Sequence, residues 1–182
     1  MGGGRKVNLF KKMIILVWIF LLLMLSTVYA YRTTNAPLVF SPKKGLESAL
    51  EFINPQRGAV FFDLGCGSGK TLIVAEKKFG LRSTGFDLAT TSYLLSKINL
   101  FLRKTKNANI VFKNLYNVPL GEADIVFCFL NIGAMEKLEK KFEKELKPGS
   151  WLISYCFSLK NKEPTRIIEL EREHKFHLYQ YV

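Results

Sequence analysis

The sequence predicts an α/β fold: a doubly wound, mostly parallel sheet that closes on a C-terminal antiparallel hairpin, behind one N-terminal membrane-spanning helix. Three observations carry this. Short β-type runs alternate with helical patterns from residue 59 to residue 157, the signature of βα units. The first run, Ala59-Val60-Phe61-Phe62, ends in the glycine turn Asp63-Leu64-Gly65-Cys66-Gly67-Ser68-Gly69 and feeds a helix. Ahead of all this, Met13 to Tyr31 holds 19 residues without a charge, enough to cross a bilayer as a helix.

The elements follow in order. Residues 1–12 form a basic tail with Arg5, Lys6, Lys11 and Lys12. Residues 13–31 are the predicted transmembrane helix, with Tyr29 and Tyr31 where an interfacial aromatic belt would lie. A cleaved signal peptide is the competing reading, because Val28-Tyr29-Ala30 suits a cleavage site. The apolar run exceeds the roughly 7–15 residues of a signal h-region, which favours a retained anchor. Residues 32–58 form a linker and a helix over 42–53, with Leu46, Leu50 and Ile53 at helical spacing. The domain proper spans 59–182. Strands are expected at 59–64, 82–87, 109–113, 123–130 and 151–157. Helices are expected at 69–79, 89–104 and 132–146. Gly80 should stop the first of these, and Lys147-Pro148-Gly149 the last. Leu94, Leu95, Ile98 and Leu102 are expected as the core stripe of the second helix. Residues 167–171 and 175–181 should close the sheet as an antiparallel pair.

The glycine spacing narrows the ligand. A dinucleotide fingerprint would place its third glycine at position 70, which is Lys70. An acidic residue two positions before G-x-G-x-G instead resembles class I S-adenosylmethionine (SAM) methyltransferases, whose sheet is Rossmann-like. Asp63 can then face the cationic amino group of the methionine tail, with Gly65, Cys66, Gly67 and Gly69 around it. Asp87, ending the run Arg82-Ser83-Thr84-Gly85-Phe86, can accept both ribose hydroxyls beside Leu88. SAM is therefore the expected cofactor.

Charge and cysteines set further bounds. The net charge is +12, and four of the 27 basic residues precede the apolar run. The 23 that remain against 15 acidic residues leave +8 on the rest. That suits an anionic partner: lipid headgroups, RNA or an acidic protein face. No DNA partner is expected. RNA ranks below a protein target, because no RNA-binding module is appended and the exit of strand four lacks an N-P-P-[YF] sequence. Cys66, Cys128 and Cys156 show neither metal-ligand spacing nor a disulfide framework, so no metal is expected.

Several segments together resemble one family. Asp63 to Lys70 resembles its D-L-G-[SC]-G-[DS]-G-[RK] motif. Asn114-Leu115-Tyr116-Asn117-Val118 is similar to its D-L-[WFY]-x-V, and Phe129-Leu130 to the close of its fourth strand. Glu145-Leu146-Lys147-Pro148-Gly149 with Ser154 matches its E-L-x-x-G segment, and Ala36-Pro37-Leu38-Val39-Phe40-Ser41-Pro42 its pre-motif. The family is that of the membrane-associated protein-lysine methyltransferases acting on the ATP synthase c-subunit and the adenine nucleotide translocase, with their prokaryotic relatives. The resemblance covers about residues 36–160 and, loosely, the anchor. Asn114 stands for the usual Asp, Asp87 for the usual Glu, and Asn131-Ile132-Gly133 for an A/L-P-S turn.

The resemblance implies a membrane-anchored, SAM-dependent methyltransferase acting on a lysine of a membrane protein. It implies adenine contacts at Asn114 and Leu115. The catalytic domain would face the SAM-containing compartment, cytoplasmic or matrix-like. The candidates for the methyl-transfer mouth are Ser41 and Asn131. Each has a second reading, Ser41 as a cap of the 42–53 helix and Asn131 as the N-cap of the 132–146 helix. RNA or a lipid or quinone is the alternative substrate class, and an inactive SAM-fold scaffold is the third reading. Tyr155 and Trp151 read as core, and His174 and His177 as surface or hairpin positions.

Overall fold

The computed structural model describes residues 3–34, 43–169 and 175–182. Helix α1, Gly3–Thr34, leads into α2, Lys43–Ile53. There follow β1 (Val60–Leu64), α3 (Lys70–Phe79), β2 (Arg82–Asp87), α4 (Thr90–Leu102), β3 (Ala108–Phe112), β4 (Ile125–Cys128), α5 (Ile132–Glu145), β5 (Trp151–Tyr155), β6 (Arg166–Glu169) and β7 (Lys175–Gln180). A 3-10 turn, Leu115–Asn117, lies between β3 and β4.

The seven strands run in the order β3-β2-β1-β4-β5-β7-β6. The first five are parallel; β7 enters antiparallel beside β5, and β6 pairs antiparallel with β7. The closing hairpin is thus present, with its second strand inserted between its first and the rest of the sheet. The chain reverses its direction of strand addition between β1 and β4. That is the switch point at which open α/β sheets bind ligands, above the carboxyl ends of the strands.

Alternation along the strands fills two cores. Phe61, Ile125, Phe127 and Ile153 face α2 and α3, against Leu46, Leu50, Leu72 and Ala75. Phe62, Leu64, Val126, Cys128 and Leu152 face α5, against Met135, Leu138 and Phe142. All four residues of β4 are buried, as a strand covered on both faces should be. It is shorter than expected, because Phe129 and Leu130 lie beyond its ladder. β5 stops at Tyr155, where Cys156 takes φ 71°. Gly80 ends α3 at φ 70°, its N–H donating to the Glu76 carbonyl at 2.8 Å.

One expectation is corrected. Leu94, Leu95, Ile98 and Leu102 are not the core stripe of α4: they are 47, 47, 55 and 67% exposed. The buried residues of α4 are Ser92, Ser96 and Leu100. Close approach decides this. A Cβ on Gly69 would stand 3.0 Å from that of Ser96, and Asn99 Nδ2 donates to the Ser68 carbonyl at 2.9 Å. Only small or hydrogen-bonding side chains fit where the helix rides on the glycine loop, so its large apolar residues point away. His177 takes the hairpin position expected of it. It lies buried in β7 opposite Ser154, and burial holds its pKa below the usual histidine value. His174 lies outside the described residues. Tyr155 is buried and Trp151 half-buried at the start of β5, both packed in the core as expected.

Candidate cofactor site

The glycines of the loop have a backbone reason. Gly65, Gly67 and Gly69 take φ 85°, 52° and 72°, where a side chain is strained. The loop is pinned to β2 by its own amides. The N–H groups of Gly65 and Cys66 donate to the Phe86 carbonyl at 2.8 and 3.2 Å. Gly85 lets β2 pass beneath: a Cβ there would meet Cys66 Sγ at 2.6 Å.

Two carboxylates end neighbouring strands. Asp63 is 2% exposed and accepts a hydrogen bond from the Thr71 hydroxyl on α3. Burial pushes its pKa up to about 7; the Thr71 bond opposes this and the nearby Asp87 charge adds to it. Asp87 is half-buried. Its Oδ2 accepts from the Gly67 N–H and its Oδ1 from the Ala89 N–H, each at 2.9 Å. Burial raises its pKa as well, against those backbone donors. Cys66 is buried beside them, and burial with both negative charges pushes its thiol pKa well up. It is no nucleophile at neutral pH.

A cavity of about 630 Å³ opens over this pair, within the range of cofactor sites. Asp63, Gly65, Cys66, Gly67 and Asp87 line it. Thr27, Val28, Tyr31 and Arg32 of α1 form another wall, and Phe129 closes the β4 end. The α1 wall was invisible in the sequence, since nothing in an apolar run says which of its faces meets a site. Thr71 was missed too; the signal was a hydroxyl just after the last loop glycine, in the first turn of α3.

Of the other expected site residues, the described ones, Gly69, Leu88, Asn114, Leu115 and Asn131, do not line this cavity. Gly69 turns the chain into α3, and Leu88 is half-buried beside Asp87. Asn114 Oδ1 accepts from the Tyr116 N–H at 3.1 Å, holding the 3-10 turn with the buried Leu115. The Tyr116 hydroxyl donates to the Thr34 carbonyl at 3.0 Å, tying that turn to the end of α1. Asn131 Oδ1 accepts from the Ala134 N–H at 2.9 Å and caps α5. Ser41 and the whole pre-motif lie outside the described residues.

The family described as the ANTKMT methyltransferase domain matches residues 63–166, starting at Asp63 itself. This chain belongs to that family. A protein-lysine N-methyltransferase of Saccharolobus islandicus (strain REY15A) is 32% identical over 81% of this chain and 94% of its own length. The adenine nucleotide translocase lysine N-methyltransferase of Mus musculus is 27% identical over 74% of this chain, which spans only 58% of that relative. The fold matches a crystal structure of an RNA methyltransferase from Salinibacter ruber in complex with S-adenosyl-L-homocysteine. That likeness has TM-score 0.74 and 23% identity and covers 78% of this chain and 93% of that one.

This ANTKMT-family chain is a SAM-dependent methyltransferase. The residues present fit SAM. A buried acid with a raised pKa is relieved by an adjacent cation, which favours its ionised form. Each oxygen of Asp87 keeps a lone pair beyond its backbone donor, so two hydroxyls can still bind there.

Proposed function

We propose that this methyltransferase modifies a lysine side chain of a membrane protein, held at the bilayer by α1. The observation that carries the reading is that α1 is both an anchor candidate and a wall of the cavity. From Leu9 to Thr34 it runs 26 residues, its most apolar 18-residue stretch has mean hydropathy 2.5, and its apolar side chains are largely exposed. Ala30 and Thr34 are nonetheless buried, and Thr27, Tyr31 and Arg32 line the site. An anchor built into the active site keeps the site at the membrane surface. Tethering raises the effective concentration of a target in the same membrane without new contacts. The lysine target is supported by the family and by the relatives' names.

The residues divide the work. Asp63, with Gly65, Cys66, Gly67 and Gly69, holds the methionine end of the cofactor. Asp87 and Leu88 hold the ribose, and Asn114 and Leu115 flank the adenine. SAM supplies an activated methyl on sulfonium, so the protein mainly orients the acceptor and excludes water. A lysine must lose its proton before attack. The apolar wall of Val28 and Phe129 disfavours the ammonium form and lowers that pKa. Asn131, two residues past Phe129, and Ser41 stand as candidates for the mouth. The domain faces the compartment that contains SAM, cytoplasmic or matrix-like.

Peptide mass spectrometry of membranes from wild-type cells and cells lacking the gene tests this. A methylated lysine on an integral membrane protein should disappear with the gene and return with the wild-type chain but not with Asp87→Ala. Unchanged membrane proteins beside a lost methyl group in RNA or lipid would overturn the reading.

A further inference from the structure

The outward face of α4 carries five large apolar side chains. Leu94, Leu95, Ile98, Phe101 and Leu102 are all exposed, Phe101 by 81%. Ile98 stands three or four residues from each of the other four, so all five share one side of the helix. The first turn of that helix is where α1 sits: the hydroxyls of Ser26 and Thr90 are 2.7 Å apart, and those of Thr27 and Thr91 are 3.0 Å apart. Leu94, Leu95 and Ile98 stand three, four and seven residues from Thr91, so the exposed apolar face continues from the surface of α1. Phe112, at the end of edge strand β3, is 49% exposed and packs edge-on against Tyr93 at 5.7 Å.

Depth along α1 selects the occupant. From Met13 to Ser26 the helix rises only about 20 Å, against a hydrocarbon core of about 30 Å. The charge-free run continues past the contact with α4 to Tyr31, and Tyr29, which is not part of the cavity lining, stays 64% exposed. A span of that length leaves the first turn of α4 level with lipid-facing residues of α1. Whatever α4 presents there must suit the bilayer, and it presents leucine, isoleucine and phenylalanine. Charge agrees. Between Leu88 and Gly121 the chain has Lys97, Arg103, Lys104, Lys106 and Lys113 and no acidic residue. An apolar helix face edged by basic residues is the pattern of interfacial membrane helices.

We propose that α4 docks its Leu94–Leu102 face into the bilayer interface beside α1. The domain then sits partly sunk in the headgroup layer, with the cavity mouth fixed relative to the surface. This rests on the reading of α1 as an anchor, so the test reports on the two separately. The full chain is reconstituted in phosphatidylcholine–phosphatidylglycerol vesicles whose acyl chains carry bromine, which quenches nearby tryptophan. Trp18 alone, in Trp151→Phe, reports on α1. Phe101→Trp and, separately, Ile98→Trp, each with Trp18→Phe and Trp151→Phe, report on α4. Lys140→Trp in the same background, exposed on α5 on the other side of the sheet, is the aqueous control.

Relative to unbrominated vesicles, emission should fall about twofold or more from Trp18 and from the probes at positions 98 and 101, and stay unchanged from the probe at position 140. Quenching of Trp18 without quenching at positions 98 and 101 would overturn the proposal and leave the anchor standing. No quenching at any of these positions would overturn both. Positions 98 and 101 unquenched by lipid but shielded from aqueous acrylamide would assign the face to a second copy or, if shielding needs the target protein, to the substrate. Either result overturns lipid docking.

Discussion

Asp63 and Asp87 are the same residue type at the ends of adjacent parallel strands, yet their surroundings differ. Asp63 is almost wholly buried in the cavity lining with one side-chain donor, Thr71. Asp87 is half-buried and braced by two backbone N–H groups. On the proposed assignment, the difference teaches how one residue type can serve two ends of one ligand. A buried carboxyl that ionises reluctantly calls for a full positive charge. A carboxylate already fixed by amides presents its remaining lone pairs to neutral hydroxyls in a set geometry.

The largest expected effect is at Asp87. On the ribose assignment, Asp87→Ala removes two charge-assisted hydrogen bonds to ligand at roughly 2 kcal/mol each, so SAM affinity should fall by nearly a thousandfold on the arithmetic of about 1.4 kcal/mol per decade. It also frees the Gly67 and Ala89 amides, so the loop should exchange its amide hydrogens faster. Calorimetry of the full chain measures the affinity, and a loss below tenfold would break the ribose assignment.

Asp63→Asn should act differently, through pH. The folded pKa of Asp63 lies above its unfolded value, from 3.8 up to about 7. Between those values the folded state holds the extra proton, so this group's contribution to stability falls as pH rises through the window and is wholly lost above it. Asparagine removes that loss, and the variant should melt above wild type at pH 8. Its SAM affinity should be about tenfold or more weaker, from the lost ion pair. Wild-type affinity should tighten as pH rises from 6 to 7.5, because the ligand's ammonium favours the carboxylate; the variant's should stay flat. A variant with wild-type pH dependence would show that Asp63 does not face the ammonium.

Shortening the wall tests whether the pair works alone. Arg32→Ala with Tyr31→Ala leaves both carboxylates in place and should weaken SAM binding several-fold, on the order of 1 kcal/mol. Unchanged affinity would restrict the site to the sheet and loop. The smallest effect belongs to Asn131→Ala. Loss of the α5 cap should cost about 1 kcal/mol of stability. If capping is its whole role, kcat per folded enzyme stays constant while Tm drops; a falling kcat would place Asn131 at the methyl-transfer mouth.

Much of this was legible in the sequence because it rests on local rules. The left-handed glycines, the strand-end carboxylates and the apolar β4 follow from spacing and composition. So does α5, whose Met135, Leu138 and Phe142 point inward as their spacing says. Helix α4 carries an equally clear stripe and points it outward. Periodicity finds an apolar face but not the direction it looks. Here the tight seat of Ser96 on Gly69 decided, a contact between residues 27 apart in the chain. The α1 wall was hidden for a similar reason: the sequence marks α1 as apolar, and only its packing against Thr90 and Thr91 brings Thr27 and Tyr31 to the cavity.

The most direct test of the central claim uses isolated membranes, tritiated SAM and the full-length chain, with Asp87→Ala as the blank. Label should enter an integral membrane protein and, after acid hydrolysis, elute as methylated lysine. Label found in RNA or in the organic-solvent lipid fraction, with none in protein, would contradict the account.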